Sequence, residues 1–431
     1  MQTFTKERVR ELGYMIIDRK VYSVKEFGLS GHPGGTLLID HLGHDASDTF
    51  EAMHPESAYE TLANFYVGDL EASEKSEDDP FTLDARALNE SLRKQGFYDS
   101  DPLYYATLHV INFALLATAI YGVHRFGHTI PGVLFSGTTL ALFFQQAALL
   151  SHDFCHKQIS NNHFVIYAGA LVWGELLQGL SKRWWVDKHS RHHSMPNIYG
   201  NDPDIESRPV IAWSEHALEL FTDVDEAELT KTLAKVLYVH QVFLYFPVLF
   251  AARLQWNYES LLAEFVKADS HLAWFDGGAL LLHWYAFATL TRVIPSWPLR
   301  ALFVFVAIGM SGQFLAMVFA PNHNGRTVLT KEEWDTSKFG FFELQVRTSR
   351  DICSGVVGDW FSGALNQQVT HHMFPRMPRS RYRSIQPQVK ALCEKHGIPY
   401  HQTGFFRGQY EVLSRLNDVA NAARKLRAGK Q

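Results

Sequence analysis

A chain of 431 residues with a formal charge of −5 has room for more than one folded unit and lacks the basic excess of a nucleic-acid binder. Its three cysteines, Cys155, Cys353 and Cys393, form no CxxC pair, which excludes a disulfide scaffold and suits a reducing, cytosol-facing protein. The unusual number is the 22 histidines, most of them in tight clusters, a composition that points to metal.

In chain order, the polar start MQTFTKERVR lacks the apolar run of a secretory signal. Residues 1–72 read as a small α+β domain punctuated by Gly31 to Gly35. EASEKSEDDP (71–80) is acidic and short of apolar residues, so it reads as a solvated linker. A charged helix over 83–97 completes a linker and surface region of 73–100. Residues 101–431 then read as an α-helical membrane domain.

Within it, 103–123 and 131–150 each approach the roughly 20 apolar residues that a spanning helix needs. The turn HRFGH joins them. A second pair, 277–294 and 300–320, is joined by PSWP. Four transmembrane helices with short outer loops put both termini and the central region on one side. Lys182, Arg183, Lys188 and Arg191 crowd that side, which makes it the cytosol by the positive-inside rule. The apolar stretches 164–180 and 233–252 contain Glu175, Gln178, His240 and Gln241. They are expected to lie as membrane-surface or half-buried helices within a cytosolic helical cap.

Two sites stand out. In the first, His32 lies in HPGG and His54 follows downstream. Two imidazoles on opposite faces of one haem iron leave no vacancy for oxygen, so such a site carries electrons. The glycines of HPGG would let backbone approach a porphyrin. His41 and His44 read as solvated. Glu51 and His54 also spell ExxH, but the further glutamates of a di-iron bundle are missing. Together with Tyr22, Val24, Phe27 and the DASDTF stretch, HPGG and His54 resemble the cytochrome b5 fold over roughly residues 5 to 70. That resemblance implies haem b with His32 and His54 as axial ligands.

The second site is built from three boxes: HDFCH (His152, His156), HSRHH (His189, His192, His193) and QVTHH (Gln368, His371, His372). Residues three or four apart share a helix face. His323, in APNHNG, follows the last expected span. So many imidazoles exceed the needs of one ion but suit two. Imidazole binds iron, zinc and copper, and zinc has no redox chemistry. HDFCH has the spacing of a zinc-protease HExxH but lacks its glutamate. Asp202 and Asp204 could accept the second N–H of a ligand histidine or cap a loop. Trp184 and Trp185 read as surface anchors, and Lys182, Arg183 and Lys188 as contacts for acyl-CoA phosphates or as positive-inside charges. His124 and His128 fall in an outer loop. His163, His240 and His283 read as polar contacts between helices rather than as the lining of a substrate channel.

These boxes, with LSHDFCHKQ, LQGLSKRWWVDKHSRHH and DWFSGALNQQVTHHMFPRMPR around them, resemble the membrane fatty acid desaturase and hydroxylase superfamily. The fused haem-type domain and the glutamine opening the third box resemble its front-end desaturases, and the resemblance covers essentially the whole chain. It implies two iron ions held by His152, His156, His189, His192, His193, His323, His371 and His372. Gln368 would be a further ligand or orient a water or histidine. It further implies O2 as co-substrate, a fatty acyl substrate on CoA in preference to phospholipid, membrane lipids around the body, NADH-cytochrome b5 reductase as partner, and the endoplasmic reticulum. The implied reaction is desaturation of a polyunsaturated chain between an existing double bond and the carboxyl end, of delta-6 or delta-5 type. A sphingolipid long-chain-base desaturase, a lipid hydroxylase and a non-enzymatic membrane electron carrier are the alternatives. Gly363–Ala364 and Thr370 depart from the family's usual third box, which is expected to affect packing or substrate shape rather than the metal set.

Overall fold

The computed structural model describes residues 2–32, 34–74, 78–266, 272–337 and 340–429. Pro33 of HPGG and residues 75–77 of the expected linker lie outside the described residues. The N-terminal unit is built on a four-stranded sheet in the order β1-β4-β3-β2, with β1 Thr3–Phe4, β2 Met15–Ile17, β3 Lys20–Tyr22 and β4 Tyr66–Leu70. Asp18 and Arg19, both at positive φ, form the two-residue turn between antiparallel β2 and β3, matching the right-handed twist of the strands. Alternation along the strands divides the core. Met15, Ile17 and Tyr22 face one layer, and Ile16 and Val21 face Phe4 and Val9 on the other. Helix α1 (Ser47–Met53) runs into His54.

Helix α2 (Pro80–Lys94) starts three residues before the expected position. Asp79 caps it by accepting from Thr82 N, and Pro80 presets the first turn. Its Phe81, Ala85 and Leu92 pack against Val369, Met373 and Phe374 of the third box. Helices α3 (Pro102–Phe126) and α4 (Ile130–Cys155) follow, capped by Asp101 and Thr129. Helix α5 (His163–Ala170) continues as a π-helical segment, Leu171–Gln178. Gly179, at φ +82°, ends it, and α6 (Lys182–Ser194) departs at 108°. Together with α6 this segment is apolar and long enough to form a broken span or a re-entrant loop, an arrangement that differs from the expected surface helix.

Helices α7 (Glu228–Phe265), α8 (Leu272–Val293) and α9 (Trp297–His323) complete the body. Gly309 admits Phe250 so closely that any Cβ there would overlap its ring, the small-residue packing typical of apolar bundles. Helix α10 (Gln368–Met373) carries the third box, and α11 (Phe405–Ala428) lies along α7.

Among the described residues, four helices are long and apolar enough to cross a membrane: α3, α4, α7 and α9. The expected number holds, but one identity changes. The stretch 233–252, expected at the surface, is the middle of α7, whereas 277–294 lies in α8, which falls short of that standard. Of the two polar residues that argued against α7, His240 is exposed and Gln241 is satisfied by protein. Gln241 accepts from Ala212 N and donates to Leu416 O, both at 2.9 Å. At 38 residues, α7 is about 57 Å long, nearly twice a hydrocarbon core of about 30 Å. Its first half is therefore long enough to bind α11 while the rest runs beside α9. There Arg253 is fully buried, donating to Ser311 Oγ at 2.8 Å and Gln178 O at 2.5 Å, with its guanidinium 4.0 Å from the Phe144 ring centroid. Asn257 takes the Gly179 carbonyl at 2.6 Å. Together they cap the π-helical segment.

Candidate metal centre

All the box histidines meet at one end of the bundle. His152 lies in the last turn of α4 with His156 just beyond it, α6 carries the second box, and α9 ends on His323. Two groups form. His152, His156, His189, His193 and His371 bring ligand atoms within 4.8 Å of one another, and His192, His323 and His372 do the same. The rings of His193 and His372 stack at 4.2 Å and join the groups. All of these side chains are buried.

The donor chemistry fits two metal ions. Nε2 atoms face each other at 2.8 Å (His189–His156), 3.0 Å (His193–His189) and 3.2 Å (His192–His323). Nε2 of His152, His371 and His372 is buried with no hydrogen-bond partner, a costly state unless a ligand takes the lone pair. The opposite nitrogens are committed. Nδ1–H of His371 donates to the Tyr382 hydroxyl at 2.9 Å, that of His372 to Gln345 Oε1 at 2.8 Å, and that of His323 to Thr348 O at 3.1 Å. Such outer partners fix the tautomer and aim Nε2 inward. Burial and the neighbouring imidazoles hold His371 and His372 well below the usual imidazole range, so both are neutral at pH 7.

His192 donates to Asp202 at 3.0 Å, and Asp202 also accepts from Asn197 N at 2.7 Å. Asp202 therefore both holds the histidine and caps its loop. Asp204 stands 3.6 Å from His192 and pairs with Lys188 at 3.3 Å. Asp202→Asn is expected to weaken metal retention roughly 10–100-fold, read as iron bound at equilibrium across a chelator series. Gln368 turns its oxygen to Asn322 Nδ2 at 3.0 Å and its nitrogen to His323 Nε2 at 2.9 Å.

Asp153 pairs with Arg379 at 3.0 Å beside His152. Gly363, at φ +64°, makes room for this pair. A Cβ there would strike Arg379 Nη1 and come within 2.9 Å of Leu149. Gly363→Ala is expected to cost at least about 1–2 kcal/mol from the left-handed backbone alone, read as a lower thermal midpoint in detergent. Ala364 also sits at positive φ and is buried.

Trp185 stacks on His189 with centroids 4.6 Å apart, and Trp184 donates to Glu259 at 2.7 Å. Neither is merely a surface anchor. The cations expected to meet phosphates are engaged: Lys182 with Asp276 at 2.5 Å, Arg183 with Glu264 at 3.7 Å and Lys188 with Asp204. His124, His128, His163 and His240 are exposed, while His283 donates to Leu176 O at 3.1 Å. A cavity opens from His152 past Leu149, Trp185 and Phe319 toward Gln178 and Lys182.

In the N-terminal unit, the His32 and His54 rings face each other with centroids 5.9 Å apart. That spacing suits one metal at about 2.0 Å from each inner nitrogen. Phe50 stacks on His54 at 4.4 Å, and Phe27 lies 5.7 Å from His32. A side chain at Gly34 would come within 2.8 Å of the His32 ring. Burial, then the charges of Lys157 and His32, push His54 down to about 3, keeping it neutral. These features fit a bis-imidazole haem slot.

The haem-type unit docks on the boxes. His41, expected to be solvated, is buried and bonds Ser194 Oγ at 2.5 Å. Arg191 pairs with Asp40 at 2.9 Å, and Arg376 Nη1 donates to His54 O at 2.7 Å. Arg86 of α2 pairs with Asp48 at 2.6 Å, and Asn89 donates to Glu51 at 2.9 Å. Sequence reasoning missed Arg376, Tyr382 and Gln345, since each acts on a histidine through a fold contact that no local motif marks.

Comparison with known proteins agrees on both halves. The family described as "Fatty acid desaturase" matches residues 128–404, and "Cytochrome b5-like Heme/Steroid binding domain" matches residues 1–71. The chain is 34% identical over 424 residues to the "Acyl-lipid (9-3)-desaturase" of Physcomitrium patens, covering 95% of this chain and 76% of that protein. It is 29% identical over 437 residues to the "Delta(8)-fatty-acid desaturase" of Euglena gracilis, covering 99% of each. It is 30% identical over 430 residues to "Fatty acid desaturase 3" of Bos taurus, covering 95% of this chain and 90% of that protein.

Proposed function

The chain belongs to the fatty acid desaturase family, as a front-end type with a fused cytochrome b5-like domain, and from that premise we propose that it desaturates a polyunsaturated fatty acyl chain between an existing double bond and the carboxyl end. The observation that carries this reading is the convergence of three distant boxes and His323 into two imidazole groups. An alkyl C–H bond is unactivated, so no acid or base on the protein can break it. Two irons, when bound, supply that oxidising power.

The protein's own groups do the rest. His152, His156, His189, His193 and His371 would hold one ion, and His192, His323 and His372 the other. The Gln368 amide, 2.9 Å from Nε2 of His323 and 3.0 Å from the Asn322 amide, stands at the position of that second ion, as a further ligand or as the group that orients a water there. Tyr382, Gln345 and Thr348 hold protons at the outer nitrogens. Leu149, Trp185 and Phe319 exclude water and direct the acyl chain toward His152. The reaction consumes O2, two electrons and two protons, converts –CH2–CH2– to –CH=CH–, and releases two waters. The electrons come from NADH through a cytochrome b5 reductase to the haem that His32 and His54 would hold. The sites face the cytosol at the endoplasmic reticulum in this reading.

Delta-6 or delta-5 is the proposed position, and the relatives' names add delta-8 as a position to be distinguished. The carrier is less tied to CoA than the sequence implied. Lys182, Arg183 and Lys188 are spent on carboxylates, which favours an acyl chain on a membrane lipid. The test is expression in a desaturase-poor yeast fed defined polyunsaturated acids and sphingoid bases, with double bonds located in the phospholipid, CoA and sphingolipid pools. A new carboxyl-side double bond in acyl chains supports the proposal. Unsaturated sphingoid base, hydroxylated product or unchanged lipid would each overturn it.

A further inference from the structure

The segment from Asp40 to His54 carries the docking face of the haem-type unit. Its partners in the membrane domain all sit beside box histidines. Arg191 and Ser194 flank His192 and His193, and Arg376 follows His372 by four positions. The Arg376 contact differs from the others because it reaches a haem-ligand residue itself. Its guanidinium donates to the carbonyl of His54 at 2.7 Å. The His54 ring is meanwhile held by Phe50, through stacking at 4.4 Å and a bond from Nδ1 to Phe50 O at 3.1 Å. The imidazole is thus clamped by its own unit, and its peptide is clamped by the third box.

We propose that Arg376 is a positioning residue that couples the haem ligand His54 to the third histidine box, setting both the haem's reduction potential and its registration against the irons. This rests on the desaturase reading above. Two physical effects follow from one side chain. A cation beside the ligand's peptide favours the reduced haem, which carries one positive charge fewer. The charge-assisted hydrogen bond also fixes the separation of the two centres. Each double bond takes two electrons and a haem passes one at a time, so the contact is used twice per turnover. NADH, through its reductase, is the donor and oxygen the final acceptor.

The experiment uses the full-length protein in detergent or nanodiscs, loaded with haem and iron. Arg376→Met is expected to keep the haem absorbance and iron content of the wild type. Its midpoint potential falls, and reoxidation of reduced haem under oxygen with substrate slows roughly tenfold, the loss expected for one charged hydrogen bond. Arg376→Lys keeps the charge but not the planar fork, so it recovers the potential more fully than the rate. If Arg376→Met misfolds, Arg376→Lys alone still tests the claim, because a rate and potential both equal to wild type would overturn it. Arg376→Met with unchanged potential and rate would overturn it directly. The potential is measured without substrate. A wild type that makes no product would therefore sink the desaturase reading and leave the potential result standing.

Discussion

Replacing His372 with alanine is expected to abolish product formation and to lower bound iron from about two per chain toward one. His372 belongs to the smaller group, with His323 and His192 rings at 4.5 and 5.0 Å. Its inner nitrogen is buried without a partner. Removing it leaves two imidazoles, and a metal bound by two such donors is easily lost. The effect should exceed the roughly 10–100-fold cost of losing an outer hydrogen-bond partner. Haem absorbance should be unchanged, since His32 and His54 lie in the other unit. His163→Ala is the control, because His163 is exposed at the start of α5. Iron analysis with product quantification decides the matter. Full iron and normal product in the His372 variant would remove this residue from the metal set.

The second large effect is expected from His54→Ala. Loss of one of two facing imidazoles opens a coordination position on any haem that remains, so carbon monoxide should now perturb its spectrum. Product driven by NADH should fall roughly 10²-fold or more, which is the advantage of a tethered donor over one in solution. Iron content should stay at the wild-type level. Normal NADH-driven turnover in this variant would mean that electrons reach the irons by another route.

The gathering of the box histidines into two groups was legible because its signals are local. HxxxH and HxxHH place imidazoles near one helix face, and α6 and α10 carry their boxes on helices, although His156 lies just past the end of α4 and adjacent histidines serve different groups. His32 and His54, marked by local sequence, come together with ring centroids 5.9 Å apart. What failed was non-local. The polarity of Gln241 argued for a surface helix, but its partners are Ala212 and Leu416, the second 175 positions away. His41 read as solvated because its partner, Ser194, is 153 positions away. Lys182 and Arg183 read as phosphate contacts or positive-inside charges because their carboxylates, Asp276 and Glu264, lie on other helices. Outer partners such as the Thr348 carbonyl carry no residue-type signal at all.

The guanidinium of Arg253 bears on how the protein is made. It is fully buried, and its hydroxyl partner, Ser311, belongs to α9, which leaves the ribosome later than α7. An arginine on an apolar helix is costly to leave unpaired. Until α9 is made, this side chain has the Gln178 carbonyl but not the Ser311 hydroxyl, so its full set of partners exists only once α7 and α9 have packed together.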